Sequence, residues 1–211
     1  MILTLEEDPI GLFSKDIKNL ADLYKHGLQD IYYAENKILK SLPSMIENAT
    51  NAELKRGLQQ HMHETEGQVR RLEEVFELHA EKPSGTKCPA IDGILKEGED
   101  LMGEIDDPGT LNVGIVAAAQ AVEHYEITRY GALIAWATEL GHSKDATILT
   151  RTLQEEKAAD KKLTALAEAR INPKSAPGGG SKTAVRSKPR TARRADASPR
   201  KAAVKRKARR R

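Results

Sequence analysis

The chain has 211 residues, 39% of them hydrophobic and 31% charged, with a single cysteine. This length is enough for one domain with a core, or for a domain and a tail, and the lone Cys88 excludes an intrachain disulfide framework and indicates a reducing compartment. The opening MILTLEEDPIGLF has acids where a secretory leader has bases, and the longest apolar run, 113–138, is interrupted by Glu123, Glu126 and Arg129. We therefore expect a cytoplasmic protein that does not span a membrane.

The net charge of +3 is distributed unevenly. Residues 1–171 contain 19 Lys and Arg against 30 Asp and Glu, a balance of −11, whereas residues 172–211 contain 15 Lys and Arg and one acid, a balance of +14. The second segment is rich in Pro, Gly, Ser and Ala and has few residues that could form a core. We predict a helical domain over 1–171 and a disordered Lys/Arg-rich tail over 172–211.

Apolar residues recur with a helical period almost throughout residues 12–170. Four long helices are predicted over about 14–48, 51–79, 110–140 and 143–171, with a shorter helix over about 90–105. The connection between the second and third long helices is about thirty residues long. Such a crossover is typical of ferritin-like bundles, so the predicted fold is an all-α ferritin-like four-helix bundle with an extra short helix in the crossover.

Proline, glycine and serine residues indicate where these helices bend or end. Pro43 is expected to kink the first helix or to end its straight part. Gly141 is the expected C-terminal cap of the third long helix, and Ser143 the expected N-terminal cap of the fourth. Asn172-Pro173 is expected to stop the fourth helix.

Acidic residues lie on the apolar side of the two C-terminal long helices. A helix turns about 100° per residue, so the direction of each side chain follows from its position. Glu123 and Glu126 flank the centre of the third helix's apolar stripe, whereas His124 faces away. On the fourth helix Glu156 and Asp160 face inward, and Glu155 is expected to point away.

The two N-terminal long helices also contribute acids. Glu35 lies among the leucines and isoleucines of the first helix. On the second helix Glu64 is about a quarter-turn from the stripe. His61 falls inside the stripe of the second helix, Gln68 lies at its edge, and Glu64 and His61 share a side. All these positions are near mid-helix, so the crossover bundle can bring them to one level.

Buried acids need compensating charge. A lone inward Glu is often a boundary residue that reaches water, and that alternative is strongest for Glu64. Six acids on one core with few inward Lys or Arg would cost several kcal/mol each, however, and two divalent cations would offset that cost. Carboxylate oxygens suit iron(II) and manganese(II), so we expect two divalent ions. Iron is the first candidate for the metal, and manganese is the second. The predicted ligands are Glu35, Glu64, Glu123, Glu126, Glu156, Asp160 and His61.

Four segments, LYKHGLQDIYYAENKILKSLP, HETEGQVRRLEEVFE, VEHYEITRYGALIAWATELG and LQEEKAADKKLTALA, resemble the YciF-type ferritin-like family of bacterial stress-associated proteins. The resemblance covers about residues 12–171 and implies a ferritin-like bundle, a homodimer and a carboxylate-rich di-metal site. The motif Glu and Asp residues of the family match Glu35, Glu64, Glu123, Glu126, Glu156 and Asp160. The family lacks the two-histidine signature of ferritin-like oxidases, so an oxidase activity does not follow from it.

Several activities remain open for a di-metal site of this kind. Ferrous ions could reduce oxygen or peroxide and manganese ions could dismutate peroxide, so ferroxidase, peroxidase and manganese-catalase-like activities in stress protection are all compatible. The alternative is a non-enzymatic, metal-stabilised helical dimer that presents basic tails to DNA. His26, His79 and His142 are placed near helix ends or the surface and are not expected to be ligands.

The tail, which ends in KRKARRR, is a polycation without aromatic residues. Polycations bind phosphate backbones by counterion release without sequence preference, and base stacking would need aromatic side chains. We therefore predict non-specific DNA binding, with a location at the nucleoid, and an acidic membrane surface is the second alternative. The predicted contacts are Arg193, Arg194, Arg200, Lys201, Lys205, Arg206, Lys207, Arg209, Arg210 and Arg211.

Overall fold

The structure is a computed structural model that describes residues 17–176. Residues 177–211 of the predicted tail, with all its proposed DNA contacts, lie outside the described residues. Residues 172–175, which were predicted to belong to the disordered tail, are helical instead. Within this range the chain is helical, and the predicted all-α class is confirmed. The helices are α1 (Leu20–Asn48), α2 (Ala52–Leu78), α3 (Pro89–Glu104), α4 (Pro108–Glu139) and α5 (Ser143–Leu166), followed by a π-helical turn (Ala167–Ile171) and the short α6 (Asn172–Ser175).

The four long helices α1, α2, α4 and α5 form the bundle. α1 packs against α2 and α4, and α5 packs against α2 and α4, whereas α3 lies on α1 and α4. Asn112, near the start of α4, accepts hydrogen bonds at Oδ1 from the backbone N–H groups of Thr50 and Asn51, between α1 and α2. α2 and α4 therefore begin at the same end of the bundle and run parallel. The segment 79–107, which contains α3, crosses back along the bundle as predicted.

Side-chain caps define where three helices begin. α1 begins at Leu20 and not near residue 14, because the Asn19 side chain accepts the Asp22 N–H at 2.9 Å. Asn51 caps α2 in the same way, and Asp107 caps α4. Ser143, the expected cap of α5, is instead its first residue, and no side chain caps that helix.

One expected helix stop is wrong, and one is confirmed. α1 continues through Pro43 to Asn48, its predicted end, with Leu42 and Met45 buried on either side of the proline and holding the last turns on the core. Asn172-Pro173, in contrast, does not end the last helix as expected. The preceding π-helical turn lets the Asn172 N–H bond the Ala167 carbonyl, and Pro173 needs no donor in the first turn of α6.

Gly141 ends α4 as expected. Its φ of 79° lies in the left-handed region, which glycine adopts without steric cost. The His142 N–H then reaches back to the Ala137 carbonyl at 2.8 Å, which satisfies one of the last carbonyls of α4. This turn fixes the position of His142 immediately before α5.

The apolar stripes of the four long helices form the core. Leu28, Ile31, Ile38 and Leu42 of α1 are buried, as are their counterparts on the other helices, Leu54, Leu58, Leu72, Phe76, Ile115, Ala119, Val122, Leu133, Ala137, Leu149 and Leu163. Across residues 17–176, no helix has the length and apolarity needed to cross a membrane.

Asn112 gives a test of how the crossover is held. It is 6% exposed, and its side-chain nitrogen also donates to Thr50 Oγ1 and to the Pro108 carbonyl. Asn112→Ala would leave the two backbone N–H groups between α1 and α2 without their acceptor, so the free energy of unfolding should fall by about 2–3 kcal/mol. Urea unfolding measures this loss. Asn48→Ala, at an exposed amide, is the matched control, and equal small losses in both variants would show that Asn112 does not hold the crossover.

Candidate metal centre

Four carboxylates lie inside the hydrophobic core. Glu35 of α1, Glu123 and Glu126 of α4 and Glu156 of α5 are 0%, 2%, 0% and 0% exposed. Each occupies a position of the apolar stripe where a core residue would otherwise lie, so the helix that buries the stripe also buries the acid. The predicted inward direction of these four side chains is confirmed.

His61 and three of these acids form one compact group. Ligand atoms of His61, Glu123, Glu126 and Glu156 all lie within 4.8 Å of one another. The imidazole Nε2 of His61 is 3.5 Å from Glu123 Oε1, and His61 Nδ1 has no hydrogen-bond partner. Three helices, α2, α4 and α5, therefore converge on a single point through their side chains.

Glu35 extends this group toward α1. Its Oε1 accepts a hydrogen bond from the hydroxyl of Tyr130, which is itself completely buried. After burial and Glu156, the neighbouring Glu35 carboxylate is a further cause that raises the pKa of Glu126. Glu126 belongs to the compact group with His61, Glu123 and Glu156, and neither of its oxygens has a hydrogen-bond partner.

Gln68 and Arg71 of α2 are the residues that sequence reasoning missed. Gln68, expected at the stripe edge, is completely buried and its amide donates to Glu156 Oε1. Arg71 donates to the Thr152 hydroxyl at 2.9 Å and to Glu155. Glu155 was expected to point away but borders the site through this pair. A polar residue within an apolar stripe, the signal that identified the glutamates, would also have identified Gln68.

Glu64 and Asp160 lie at the rim and not in the compact group. Glu64 is half-buried, accepts a hydrogen bond from Gln60 and lines a cavity of about 380 Å³ that reaches His61 and Glu123. Asp160 accepts a hydrogen bond from Gln120 at 2.9 Å, and its Oδ1 is 3.2 Å from His124 Nε2. Both acids are therefore already paired at the edge of the bundle.

Within residues 17–176, the buried side-chain atoms that lack a hydrogen-bond partner are confined to this site. Among the described residues, seven buried side-chain oxygens and nitrogens have no hydrogen-bond partner: Glu35 Oε2, His61 Nδ1, Gln68 Oε1, Glu123 Oε2, both oxygens of Glu126 and Glu156 Oε2. Buried polar atoms are normally paired, and each one left alone costs free energy. The clustering of all seven in one place leaves these atoms available to a ligand.

Burial governs the protonation of the site when nothing is bound. It is the largest cause that raises the pKa of Glu35 to about 8 and of Glu156 to about 7, with neighbouring carboxylates adding to it. The pKa values of Glu123 and Glu126 are raised by the same two causes. Burial, followed by Lys162, lowers the pKa of His61 to about 4, so its imidazole is neutral and able to bind a cation at neutral pH.

Comparison with known proteins identifies the family. Residues 19–176 match the family described as Domain of unknown function (DUF892). The chain belongs to the DUF892 family. The curated Escherichia coli (strain K12) protein YciF is 36% identical to this DUF892 chain over 160 residues, which are 75% of this chain and 96% of YciF.

Solved structures of related proteins share the fold. YcfI from Rhodopseudomonas palustris is 57% identical, with a TM-score of 0.71 over 72% of this chain and 97% of its own. The crystal structure of the E. coli stress protein YciF is 36% identical, with a TM-score of 0.71 over 74% and 99%. A protein from Xanthomonas campestris is 26% identical, with a TM-score of 0.57 over 74% and 94%. The resemblance to YciF-type proteins is therefore confirmed.

The residues of this DUF892 site fit a pair of divalent cations. Four ionised carboxylates carry a charge of −4, which two divalent cations would balance at +4. The available donor atoms are carboxylate oxygens with one imidazole nitrogen, a set that suits iron(II) and manganese(II). Arg71 is engaged by Glu155 and is the last of the causes that act on the pKa of Glu35. None of the four buried carboxylates forms an ion pair with a Lys or Arg residue within residues 17–176.

The raised pKa values predict how the metal-free protein responds to pH. Between about pH 5 and pH 8 the folded chain holds protons on Glu35 and Glu156 that the unfolded chain has lost, so stability falls as pH rises through this window. His61 opposes the trend only below about pH 6.5, where the unfolded chain takes up a proton that folded His61 does not. The chelated protein should thus melt higher at pH 6.5 than at pH 8.5, by roughly 2–4 °C for each kcal/mol gained.

Thermal unfolding followed by circular dichroism checks this pH dependence. Glu126→Gln should reduce the difference in melting temperature between pH 6.5 and pH 8.5, because it removes one of the crowded acids. The exposed Glu139→Gln, on the same helix, should leave the difference unchanged. A melting temperature that falls from pH 8.5 to pH 6.5 would show that the buried acids are stabilised in their ionised form.

Proposed function

We propose that the chain binds two divalent metal ions at the carboxylate group inside the bundle, and that this site serves in protection against oxidative or general stress. Iron is the first candidate for both ions, and manganese is the second. The observation that carries the proposal is the set of seven buried, unpartnered polar atoms that surround one point of the core. Similarity to the E. coli stress protein YciF supports the biological role.

Each side chain has a distinct part in holding the ions. Glu126, whose two oxygens have no hydrogen-bond partner, would be the ligand shared by the two ions. His61, Glu123 and Glu156 would hold one ion and Glu35 the other. The ligand role predicted for Glu64 and Asp160 becomes a peripheral one, because both already have partners at the rim.

The surrounding residues fix the carboxylates and control access. The Tyr130 hydroxyl and the Gln68 amide each occupy one oxygen of a carboxylate, of Glu35 and Glu156 respectively, and so set its orientation. The cavity beside His61 and Glu64 is wide enough for a small oxidant or an incoming ion, and Glu64 is placed to attract a cation there. An iron pair, when bound, supplies one electron from each ion to peroxide or oxygen, whereas a manganese pair supplies peroxide dismutation.

The site is tested by loading chelated protein with ferrous iron under argon and then adding hydrogen peroxide. Wild-type protein should bind two ions per chain and oxidise them stoichiometrically, measured by mass spectrometry and by absorbance. Glu126→Gln keeps the shape but removes the bridging charge, so bound iron should fall to one ion per chain or fewer. Glu139→Gln is the control and should match the wild type, since Glu139 is exposed at the end of α4.

Each result of the iron experiment points to one conclusion. Equal iron loss in both variants, or no iron bound by the wild type, would contradict the proposed site. Two bound ions that peroxide fails to oxidise would leave the site intact and favour the non-enzymatic alternative, a metal-stabilised helical dimer.

A second proposed function, DNA binding by residues 172–211, rests on the charge distribution. The net charge of this segment is +14, whereas that of residues 1–171 is −11. Attraction to a phosphate backbone must therefore come from the basic segment. We further propose that the chain forms a homodimer, which would carry two such segments and bind DNA more tightly than one.

Truncation after Ala176, where the family match ends, tests the DNA proposal. Full-length protein should retard duplex DNA of any sequence, and the truncated chain should not. If about five to eight basic residues contact phosphates, the slope of log affinity against log salt should be roughly −4 to −7. Undiminished DNA binding by the truncated chain would place the interface on the helices instead.

A further inference from the structure

A second group of potential ligands lies at the end of the bundle where α2 ends and α5 begins. His79 follows the last residue of α2, His142 precedes α5, and Asp145 lies in the first turn of α5. Neither histidine was expected to be a ligand from the sequence, because each occupies a helix end. The structure brings these two helix ends together.

The geometry of this group suits a single ion. Ligand atoms of His79, His142 and Asp145 all lie within 4.8 Å of one another, and His79 Nε2 is 2.6 Å from Asp145 Oδ2. The two imidazole rings have centroids 4.8 Å apart and planes inclined at 83°. The His142 ring makes no hydrogen bond to any residue within 17–176. No hydrogen bond therefore accounts for the position of the His142 ring beside His79 and Asp145.

Asp145 is fixed from a third helix. It is 3% exposed, and its Oδ2 accepts a hydrogen bond of 2.8 Å from the hydroxyl of Tyr24, which is also 3% exposed. A donor behind a ligating carboxylate orients it and raises metal affinity. On the other side, a cavity of about 220 Å³ is lined by Tyr24, His79 and His142, so an ion there would be reached from solvent.

The backbone on both sides of the group is held in a rare conformation. Ala80, directly after His79, has a φ of 54° and is the only non-glycine residue with positive φ within 17–176. Gly141, directly before His142, has a φ of 79°. The two histidines are therefore each fixed by a left-handed turn, and Ala80 adopts its turn at a steric cost.

We propose that His79, His142 and Asp145 bind one zinc-class divalent ion, with an open coordination position that faces the cavity. Two imidazoles and one carboxylate are a donor set used for zinc and other late divalent metals with a free position. Tyr24 and Glu35 are eleven residues apart on α1, so this site is about 16 Å along the helix from the carboxylate group. The two sites therefore bind independently, and this proposal does not depend on the proposed function.

Cobalt(II) titration of full-length protein without a polyhistidine tag tests the proposal. The background carries Glu123→Gln and Glu126→Gln, which removes the carboxylate group as a competitor. This protein should bind one cobalt ion per chain, with visible absorption bands of a histidine-ligated ion that zinc displaces. Adding His142→Ala should abolish the bands and the stoichiometric binding, whereas adding His26→Ala, at an exposed histidine of α1, should change neither.

Tyr24→Phe in the same background provides a second variant that keeps the ring and all three ligands. It removes only the donor to Asp145, so the dissociation constant for cobalt should rise about 10–100-fold while the stoichiometry remains one. Circular dichroism checks that each variant is folded. Absence of cobalt binding in the background protein, or unchanged binding in both His142→Ala and Tyr24→Phe, would overturn the proposal.

Discussion

The burial of four carboxylates at one point of a helical core is the constraint on which the rest of the structure depends. Glu35, Glu123, Glu126 and Glu156 have nearly no exposure, and most of their oxygens that face one another have no donor. Desolvation and mutual repulsion both oppose this arrangement, so without a cation the site holds protons and the fold is weakened at neutral and higher pH. The proposed metal ions would offset this cost in the centre of the fold.

The helix faces could be predicted from the sequence because they depend only on local geometry. The helical period alone placed Glu35, Glu123, Glu126 and Glu156 inward, and the length of the crossover predicted the ferritin-like connection. Which acids share the centre could not be predicted in this way, since that depends on how the helices are rotated against one another. Asp160 illustrates the difference: its direction on α5 is inward, yet Gln120 of α4 holds it at the rim.

Contacts between distant segments account for what sequence reasoning missed. Gln68 and Arg71 are ordinary polar residues of α2 until α5 places Glu156 and Glu155 opposite them. His79 and Asp145 are 66 positions apart and meet only because α2 ends where α5 begins. The helix stop expected at Asn172-Pro173 failed for a related reason. A π-helical turn precedes it and compensates for the missing donor of Pro173, and this turn is not visible in local sequence.

The central claim is that cations, and not protons or protein bases, complete the carboxylate group. Anomalous diffraction from crystals of the full chain grown with manganese(II) measures this most directly, because it locates the ions among their ligands. Two peaks are expected, about 3.5–4 Å apart, and both should lie beside Glu126. One peak should also lie beside His61, Glu123 and Glu156, and the other beside Glu35. A map without a peak at this group, with the four carboxylates still buried, would contradict the account.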